Sequence, residues 1–283
     1  MAKTRNIINL SFEVFPPKNS TAAKKLSRTL QELATHSPKF ISVTCGAGGA
    51  SKNENFAVCS QIMESGGDCV AHVTSIVANK EYIQAKLRRY EEMGINKILA
   101  LRGDFPPGTD QSSYNGAHEF KYAYDLVKML RKEFPKFKVY VAGYPEGHNQ
   151  NPSKEDDFKH QLEKAMLGTE GIITQLFFEN SFFVEYAEKL KQSGYKGLII
   201  PGIFPIFDAS QVVRLTELCG TSIPKKVRDG IKKFQDDPLS LEQWGAEYAA
   251  EQINELKDLG FQEFHIYVMN RSSHISRMLP LLS

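Results

Sequence analysis

The first apolar segment of the chain alternates in the way that a β-strand requires. From residue 8 to residue 14, apolar side chains occupy the even positions, and Asn9, Ser11 and Glu13 occupy the odd ones. Successive side chains of a strand point to opposite faces. Pro16 and Pro17 end the strand because neither can donate a backbone hydrogen bond. Glu13 therefore lies at the carboxyl end of a strand, on its less apolar face. Taken alone, this position is more typical of a solvated glutamate than of a functional acid.

The same rhythm of a short apolar run followed by a helical pattern continues along the chain. Further strands are predicted at residues 39–44, 68–73, 97–101, 138–143, 171–177, 197–202 and 264–269. Apolar residues at helical spacing predict helices from Ser20 or Thr21 (as cap) to 35, and at 55–65, 81–93, 119–134, 153–167, 182–192, 209–219 and 241–259. A short helix is expected within 221–238, and a closing helix begins at Ser272 or Ser273.

Strands that alternate with helices imply parallel β-α-β pairing. About eight such units, with no linker between them, predict an α/β fold made of a single (β/α)8 TIM barrel over residues 1–283. A doubly wound open sheet is the alternative.

Composition narrows the classes of function. The chain is 41% hydrophobic and 24% charged with a net charge of +2, and it has no long basic run, so nothing favours nucleic acid. Its four cysteines lack metal-finger spacing, and no two histidines and a carboxylate are spaced as metal ligands. No signal-peptide pattern or membrane-spanning run is present, so we expect a cytoplasmic protein with no metal and no membrane partner.

Polar residues collect where the predicted strands end. Barrels of this class place their working residues at the carboxyl ends of the strands. Those ends carry Glu13, Thr44, His72, Arg102 with Asp104, Tyr144 with His148, Gln175, and Asn270 with Arg271. Taken alone, His72 is more typical of a core histidine than of a functional residue. Taken alone, Arg102-Gly103-Asp104 is as typical of a surface turn with a local ion pair as of a functional site. The glycine-rich turn at 46–51 lacks the third glycine of a dinucleotide fingerprint and predicts a close backbone approach instead.

Seven segments, in order along nearly the whole chain, resemble the bacterial type of methylenetetrahydrofolate reductase. They are residues 11–18, 43–47, 101–104, 143–148, 174–178, 201–203 and 270–271. The resemblance implies a flavin-dependent barrel oxidoreductase that holds FAD and uses NADH or NADPH. Such an enzyme reduces 5,10-methylenetetrahydrofolate to 5-methyltetrahydrofolate by ping-pong hydride transfer, in one-carbon metabolism and methionine biosynthesis. It also implies a homo-oligomer whose other partners are small molecules.

The resemblance assigns roles residue by residue. It implies Glu13 as general acid, with Asp104 beside flavin and pterin as a second catalytic group. Cofactor contacts are implied for Thr44, Cys45, Ala47, His72, Arg102, Gly103, Asp104, Tyr122, Ala123, Tyr144, His148, Asp157, His160 and Lys164. Substrate contacts are implied for Asp104, Gln175, Gln211, Leu215 and Arg271.

The sequence also departs from the family pattern. His160 and Glu163 stand where some bacterial members carry Asn and Arg, and we expect Glu163 to point away from a pyrophosphate. The chain ends soon after the barrel, so a C-terminal regulatory domain is not expected. Two other readings stay open. One is a different flavin barrel, such as a proline-dehydrogenase-like oxidase, and the other is a non-catalytic barrel that binds folate or flavin.

Overall fold

A closed parallel barrel forms the centre of the molecule. The computed structural model describes residues 8–45, 54–76, 78–104 and 120–283. The strands are β1 (Asn9–Val14), β2 (Ile41–Val43), β3 (Cys69–Thr74), β4 (Lys97–Leu101), β5 (Lys138–Gly143), β6 (Gly171–Leu176), β7 (Leu198–Ile203) and β8 (Glu263–Tyr267). They pair in chain order, and β1 closes the barrel against β8, with Glu13 opposite Tyr267. The (β/α)8 prediction is confirmed, and the open sheet is wrong.

Helices follow the strands around the outside of the barrel. They are α1 (Ser20–Ala34), α2 (Glu54–Glu64), α3 (Lys80–Glu92), α4 (Ala123–Glu133), α5 (Lys154–Ala165), α6 (Asn180–Gln192), α7 (Ala209–Cys219), α8 (Lys225–Phe234), α9 (Pro238–Asp258) and α10 (Ser273–Met278). Most predicted elements lie within about two residues of these bounds, and helix starts differ most. Asn19, not Ser20 or Thr21, caps α1, because its side-chain oxygen accepts from the Ala22 amide at 2.8 Å. The predicted start of α4 at 119 is wrong, since the Asp125 carboxylate accepts from the Lys121 and Tyr122 amides and fixes Tyr122 as the cap.

The two faces of β1 have different surroundings. Leu10, Phe12 and Val14 belong to the core between the strands and the outer helices. The polar parity faces the barrel interior, where Ser11 bonds to His265 Nδ1 at 2.8 Å. His265 Nε2 lies 3.3 Å from Ser42 Oγ. The less apolar face of the first strand is therefore the inside of the barrel, not solvent.

Helices α7 and α8 form an excursion between β7 and the barrel helix α9. The end of α7 lies at the carboxyl ends of β5 and β6, which form the mouth of the barrel. Asn149, after β5, donates to the Leu218 carbonyl at 2.7 Å, and Thr221 donates to the Leu176 carbonyl at 3.1 Å. Gly220 ends α7 at φ +70°, and a Cβ there would lie 2.8 Å from the Asn149 Cβ. One side of the mouth is thus walled by α7.

Two classes of feature are not found in the described parts of the chain. Those residues contain no group of three or more His, Cys, Asp or Glu side chains arranged to hold a metal ion. Their helices include none that is long and apolar enough to cross a membrane.

Candidate active site

A half-buried acid and a buried imidazole meet inside the mouth of the barrel. Oε2 of Glu13 on β1 lies 3.6 Å from Nε2 of His72 on β3. The Glu13 side chain is 21% exposed, so one edge is open at the mouth. Burial raises the pKa of Glu13 to about 8 and lowers the pKa of His72 to about 3. At neutral pH both groups are therefore mainly uncharged, and Glu13 can act as an acid.

A clamp between β6 and β8 lies beside Glu13. The hydroxyl of Tyr267 donates to the carbonyl of Thr174 at 2.6 Å. Gly202 makes room for this contact, because a Cβ there would lie 2.1 Å from that carbonyl oxygen and 2.7 Å from the Tyr267 ring. Strand β6 carries a register shift between Ile173 and Leu176, and such bulges re-aim side chains. The clamp therefore fixes the bulge that carries Gln175.

Gln175 has a defined amide orientation within that bulge. Its Oε1 accepts from the Leu176 amide at 2.8 Å. The amide nitrogen therefore remains as the donor, and Gln175 is half-buried. It can recognise an acceptor atom on a ligand in the mouth.

The turn after β4 brings a cation and an anion to the same rim. Arg102 donates from Nε to the Gly103 carbonyl at 3.2 Å, and from a terminal nitrogen to Gln150 at 2.6 Å. Gly103 has φ +80°, and a Cβ there would lie 2.9 Å from the Thr74 Cβ, so only glycine fits. Asp104 is exposed.

The loop after β5 is held from beneath by helix α5. Gln161 accepts from the Tyr144 amide at 2.7 Å and from the Tyr186 hydroxyl at 2.8 Å, and it donates to Asp157 at 2.6 Å. Asp157 accepts from the His148 amide at 2.9 Å. The Tyr144 and His148 rings pack edge to face with centroids 4.6 Å apart. Buried polar side chains thus fix the course of this loop.

Lys164 lies one turn further along the same buried face of α5. Its ammonium donates to the Ala142 carbonyl at 2.9 Å, and the residue is only 8% exposed. Burial lowers the pKa of Lys164 to about 8, and the negative charge of Asp157 opposes that shift. It therefore remains mostly cationic at neutral pH.

The segment after β2 approaches His72 from the other side. The Cys45 thiol donates to the His72 carbonyl at 2.8 Å, and Lys86 donates to the Cys45 sulfur at 3.2 Å. The Thr44 carbonyl accepts from Asn55 at 2.7 Å. The predicted contact at Ala47, and the glycine-rich turn that contains it, lie outside the described residues.

Further predicted substrate residues lie on α7 and after β8. Gln211 and Leu215 lie on α7, and the Gln211 carbonyl oxygen is buried and has no hydrogen-bond partner in the described chain. The Arg271 guanidinium lies over the Phe207 ring, 5.0 Å from its centroid. Asn270 exchanges two hydrogen bonds with the Phe15 backbone, at 2.9 and 2.8 Å, and joins the ends of β8 and β1.

Three predicted cofactor residues are not joined to this cluster by any contact in the described residues. Tyr122 is 53% exposed at the start of α4, with Ala123 buried beside it. His160 is exposed, on α5 between Asp157 and Lys164. Their roles stay predictions.

Sequence reasoning missed Gln161 and Tyr267. The spacing of Asp157, Gln161 and Lys164 at i, i+4 and i+7 was an available signal, because these positions share one helix face. Tyr267 shares its strand parity with His265, but nothing local predicts that its hydroxyl spans to β6.

Comparisons with known proteins identify the family. The family model described as methylenetetrahydrofolate reductase matches residues 2–282. The chain belongs to the methylenetetrahydrofolate reductase family. The resemblance noted in the sequence is confirmed, and the expected class of enzyme, an oxidoreductase, is confirmed with it.

Named relatives of the methylenetetrahydrofolate reductase family differ in length. The chain is 31% identical to the 5,10-methylenetetrahydrofolate reductase of Escherichia coli over 273 residues, covering 96% of this chain and 90% of that protein. It is 32% identical to methylenetetrahydrofolate reductase 1 of Schizosaccharomyces pombe over 278 residues, covering 97% of this chain but 46% of the yeast protein. The chain thus spans less than half of that relative.

A solved structure resembles the barrel as a whole. It is an uncharacterized protein from Clostridium thermocellum described as binding two copies of 5-methyl-5,6,7,8-tetrahydrofolic acid. The TM-score is 0.64 at 14% identity, over 98% of this chain and 94% of that one. At this identity the likeness supports the fold alone.

Proposed function

We propose that this protein reduces 5,10-methylenetetrahydrofolate to 5-methyltetrahydrofolate with NADH or NADPH, through bound FAD in a ping-pong sequence. The proposal rests on family membership and, within the molecule, on one observation. A carboxyl group that burial keeps protonated near neutral pH stands at the open mouth of the barrel. A role in methionine biosynthesis, a cytoplasmic location and a homo-oligomeric state belong to the proposal on the family resemblance alone.

The residues of the rim fit FAD. Arg102 and Lys164 are cations suited to a pyrophosphate, and Gly103 lets the backbone approach closely. The loop with Tyr144 and His148 is already fixed by α5. These residues would hold the cofactor, with Asp157 and Gln161 as their supports. When bound, FAD supplies hydride transfer from the nicotinamide to the folate, and the protein supplies position and field.

Glu13 supplies the proton that the folate needs. Protonation of N10 opens the five-membered ring of 5,10-methylenetetrahydrofolate and leaves a cationic iminium at N5, which can accept hydride. A glutamate with the ordinary value of 4.5 would be almost fully ionised at neutral pH, whereas Glu13, with a pKa of about 8, retains its proton.

The other groups orient the folate and favour its cationic form. Asp104, exposed at the rim, would stabilise the positive iminium by its negative charge. The Gln175 amide nitrogen is the donor available to a pterin or nicotinamide acceptor. Arg271, held over Phe207, would bind a folate carboxylate, and Gln211 and Leu215 of α7 would be further folate contacts.

The test separates the two half-reactions. The purified protein should be yellow, NADH or NADPH should bleach it, and methylenetetrahydrofolate should restore the colour. Glu13→Gln should abolish the folate step in stopped-flow measurements and leave reduction by NADH nearly intact. Glu170→Gln is the matched control, because Glu170 pairs with Lys138 at the other end of the barrel.

Three outcomes would contradict the proposal. If both half-reactions fall together in Glu13→Gln, the assigned role of the acid is wrong. Bound flavin that NADH and NADPH fail to bleach would favour a non-catalytic binding barrel. Bleaching of the flavin by proline or another amine, together with no reoxidation by the folate, would favour the related class of flavin oxidase.

A further inference from the structure

The imidazole of His72 faces Glu13, and the proton transfer proposed above gives it no part. His72 Nε2 is buried and has no hydrogen-bond partner in the described chain. It lies 3.6 Å from Oε2 of Glu13, and the residue is 3% exposed. Strand β2 separates β1 from β3, so this approach comes from two inward-facing side chains and not from strand pairing. A buried polar atom left without a partner is costly and calls for an explanation.

We propose that His72 is a positioning residue for Glu13, donating its Nε2–H to Oε2 so that the acid holds its own proton on Oε1, toward the mouth. The proposal deepens the proposed function and rests on it for the identity of the proton acceptor. The distance must shorten by less than about 1 Å to reach hydrogen-bonding range.

The charge states of the pair agree with this assignment. Burial, together with the charges of His265 and Lys86, lowers the pKa of His72 to about 3, so the ring is a neutral donor. A charged imidazolium would instead hold Glu13 ionised before the folate arrives and would remove the acid. A neutral N–H leaves the proton on Glu13 and still offers a hydrogen bond to the carboxylate that forms later.

The proposed transfer moves one proton from Glu13 to the folate and needs no other reactant. The Oε1–H bond of Glu13 breaks, an N10–H bond forms, and the negative charge that remains is shared by both carboxylate oxygens. The hydrogen bond from His72 strengthens at that moment, because an ionised acceptor binds an N–H more strongly than a neutral one. An interaction that is stronger after the transfer than before it lowers the barrier.

The neighbours of the pair offer Glu13 no competing donor in the described residues. The groups that interact electrostatically with Glu13 from other elements are Tyr267 on β8 and Cys219 at the end of α7. Asp104, an anion on the rim, interacts with Cys219 and Tyr144. The charges of His265 and Lys86 act on His72. Among the basic side chains of the described residues, His72 alone is within ion-pair distance of Glu13.

Two substitutions of His72 distinguish the effect of its N–H donor from the effect of its side-chain volume. His72→Gln retains an N–H donor at nearly the position of Nε2, and His72→Met removes it at similar volume. The first measurement is the titration of the Glu13 carboxyl by infrared difference against Glu13→Gln, in purified protein without folate. We expect the midpoint to rise by about one pH unit in His72→Met and to stay within about 0.3 unit in His72→Gln.

The folate half-reaction supplies the second measurement. A single-turnover rate about 10 to 100 times lower is expected in His72→Met, with the fall in rate at alkaline pH moved to higher pH. His72→Gln should recover the rate to within about threefold of the parent. Equal titrations in the two variants, or a midpoint that falls in His72→Met, would overturn the proposal.

One measurement needs no substitution and no folate. The ¹⁵N spectrum of the parent protein, labelled in histidine, should show a neutral ring with its proton on Nε2. An unprotonated Nε2 would overturn the proposal even if both variants fail to fold. If the titrations and the spectrum agree with the proposal but the parent does not reduce methylenetetrahydrofolate, the positioning role stands and the proposed function fails.

Discussion

The hydroxyl of Tyr267, at the end of the last strand, donates to the carbonyl of Thr174 in β6 at 2.6 Å. The two strands are separated by β7, and Gly202 on that strand has no side chain to obstruct the contact. The bond holds the β6 bulge immediately before Gln175. The shape of the mouth at this point therefore depends on one phenol.

Replacing Tyr267 by Phe should loosen the bulge and the orientation of Gln175. A hydrogen bond of this kind contributes about 1 kcal/mol, so we expect the KM for methylenetetrahydrofolate to rise about fivefold, with NADH reduction of the flavin unchanged. Tyr195→Phe is the matched control, because that hydroxyl bonds to Thr169 at 3.1 Å, away from the mouth. Equal changes in KM for both variants would refute the clamp.

Replacing Gln161 by Leu should detach the loop after β5 from its support. The Tyr144 amide and the Tyr186 hydroxyl would lose their acceptor inside the protein. We expect unfolding free energy to fall by about 2–4 kcal/mol and FAD affinity to fall at least about tenfold, measured by urea denaturation and by titration of the apoprotein. Gln192→Leu, at the exposed end of α6, should change neither quantity. Unchanged FAD affinity in Gln161→Leu would show that the loop after β5 does not contribute to FAD binding.

The lowered pKa of Lys164 predicts that FAD affinity and apoprotein stability change in opposite directions as pH rises. Its pKa in the folded protein, about 8, lies below its ordinary value of 10.5. Between these values the unfolded chain holds a proton that the folded one lacks, so apoprotein stability should rise from pH 8 toward 10.5. FAD affinity should fall over the same range, because the cation that would meet the pyrophosphate is lost.

The control for this prediction is a lysine on the same helix. Lys164→Gln should bind FAD more weakly and without the decline above pH 8, whereas the exposed Lys159→Gln should behave like the parent protein. Equilibrium dialysis at pH 7 and pH 9 measures the difference. If FAD affinity still falls above pH 8 in Lys164→Gln, a group other than Lys164 causes the fall.

Replacing His274 by Phe should stabilise the protein in acid. His274 is fully buried, both ring nitrogens lack partners in the described chain, and it stacks on Phe207 with centroids 5.1 Å apart. Burial, with the charge of Arg271, lowers its pKa to about 3, so the unfolded state gains a proton below about pH 6.5 and stability is lost as pH falls. At about 1.4 kcal/mol per pH unit, the gain from Phe should be about 2 kcal/mol larger at pH 5 than at pH 7.

Urea denaturation at the two pH values measures this difference. His36→Phe, after the end of α1 and only partly buried, is the control and should show no such gain. The remaining buried histidines, His72 and His265, keep part of the acid sensitivity, since burial lowers the pKa of each to about 3. If His274→Phe stabilises the protein equally at both pH values, the effect comes from packing and not from protonation of His274.

The sequence predicts the barrel and the position of Glu13 well, and the neighbours of Glu13 poorly. Alternation in β1 and the two prolines place Glu13 at a strand end, and the strand–helix rhythm makes that end part of a mouth. Which side chain faces Glu13 depends on the stagger of strands that are not neighbours, and no local pattern encodes that. From the sequence alone, His72 is therefore interpreted as a core histidine, and only the closed barrel shows that it faces Glu13.

The register shift in β6 shows the same limit. The run at 171–177 predicts a plain strand, yet the chain gains an extra residue opposite β7 near Thr174. The cause is tertiary, because Tyr267 and Gly202 come from other strands. Helix caps such as Asn19 are local by contrast, and their misassignment reflects competition between adjacent polar residues.

The contact between Gly220 and Asn149 links the two walls of the mouth. Asn149 belongs to the loop that would hold the cofactor, and α7 carries Gln211 and Leu215, the proposed folate contacts. The Leu218 carbonyl and the Ser222 amide are bonded to Asn149 and Glu146 of that loop, so hydrogen bonds join the two walls directly. A ligand that orders one wall therefore reduces the conformational entropy that the second ligand must remove on binding. Flavin and folate should then bind with positive cooperativity, without any change in the shape of the barrel.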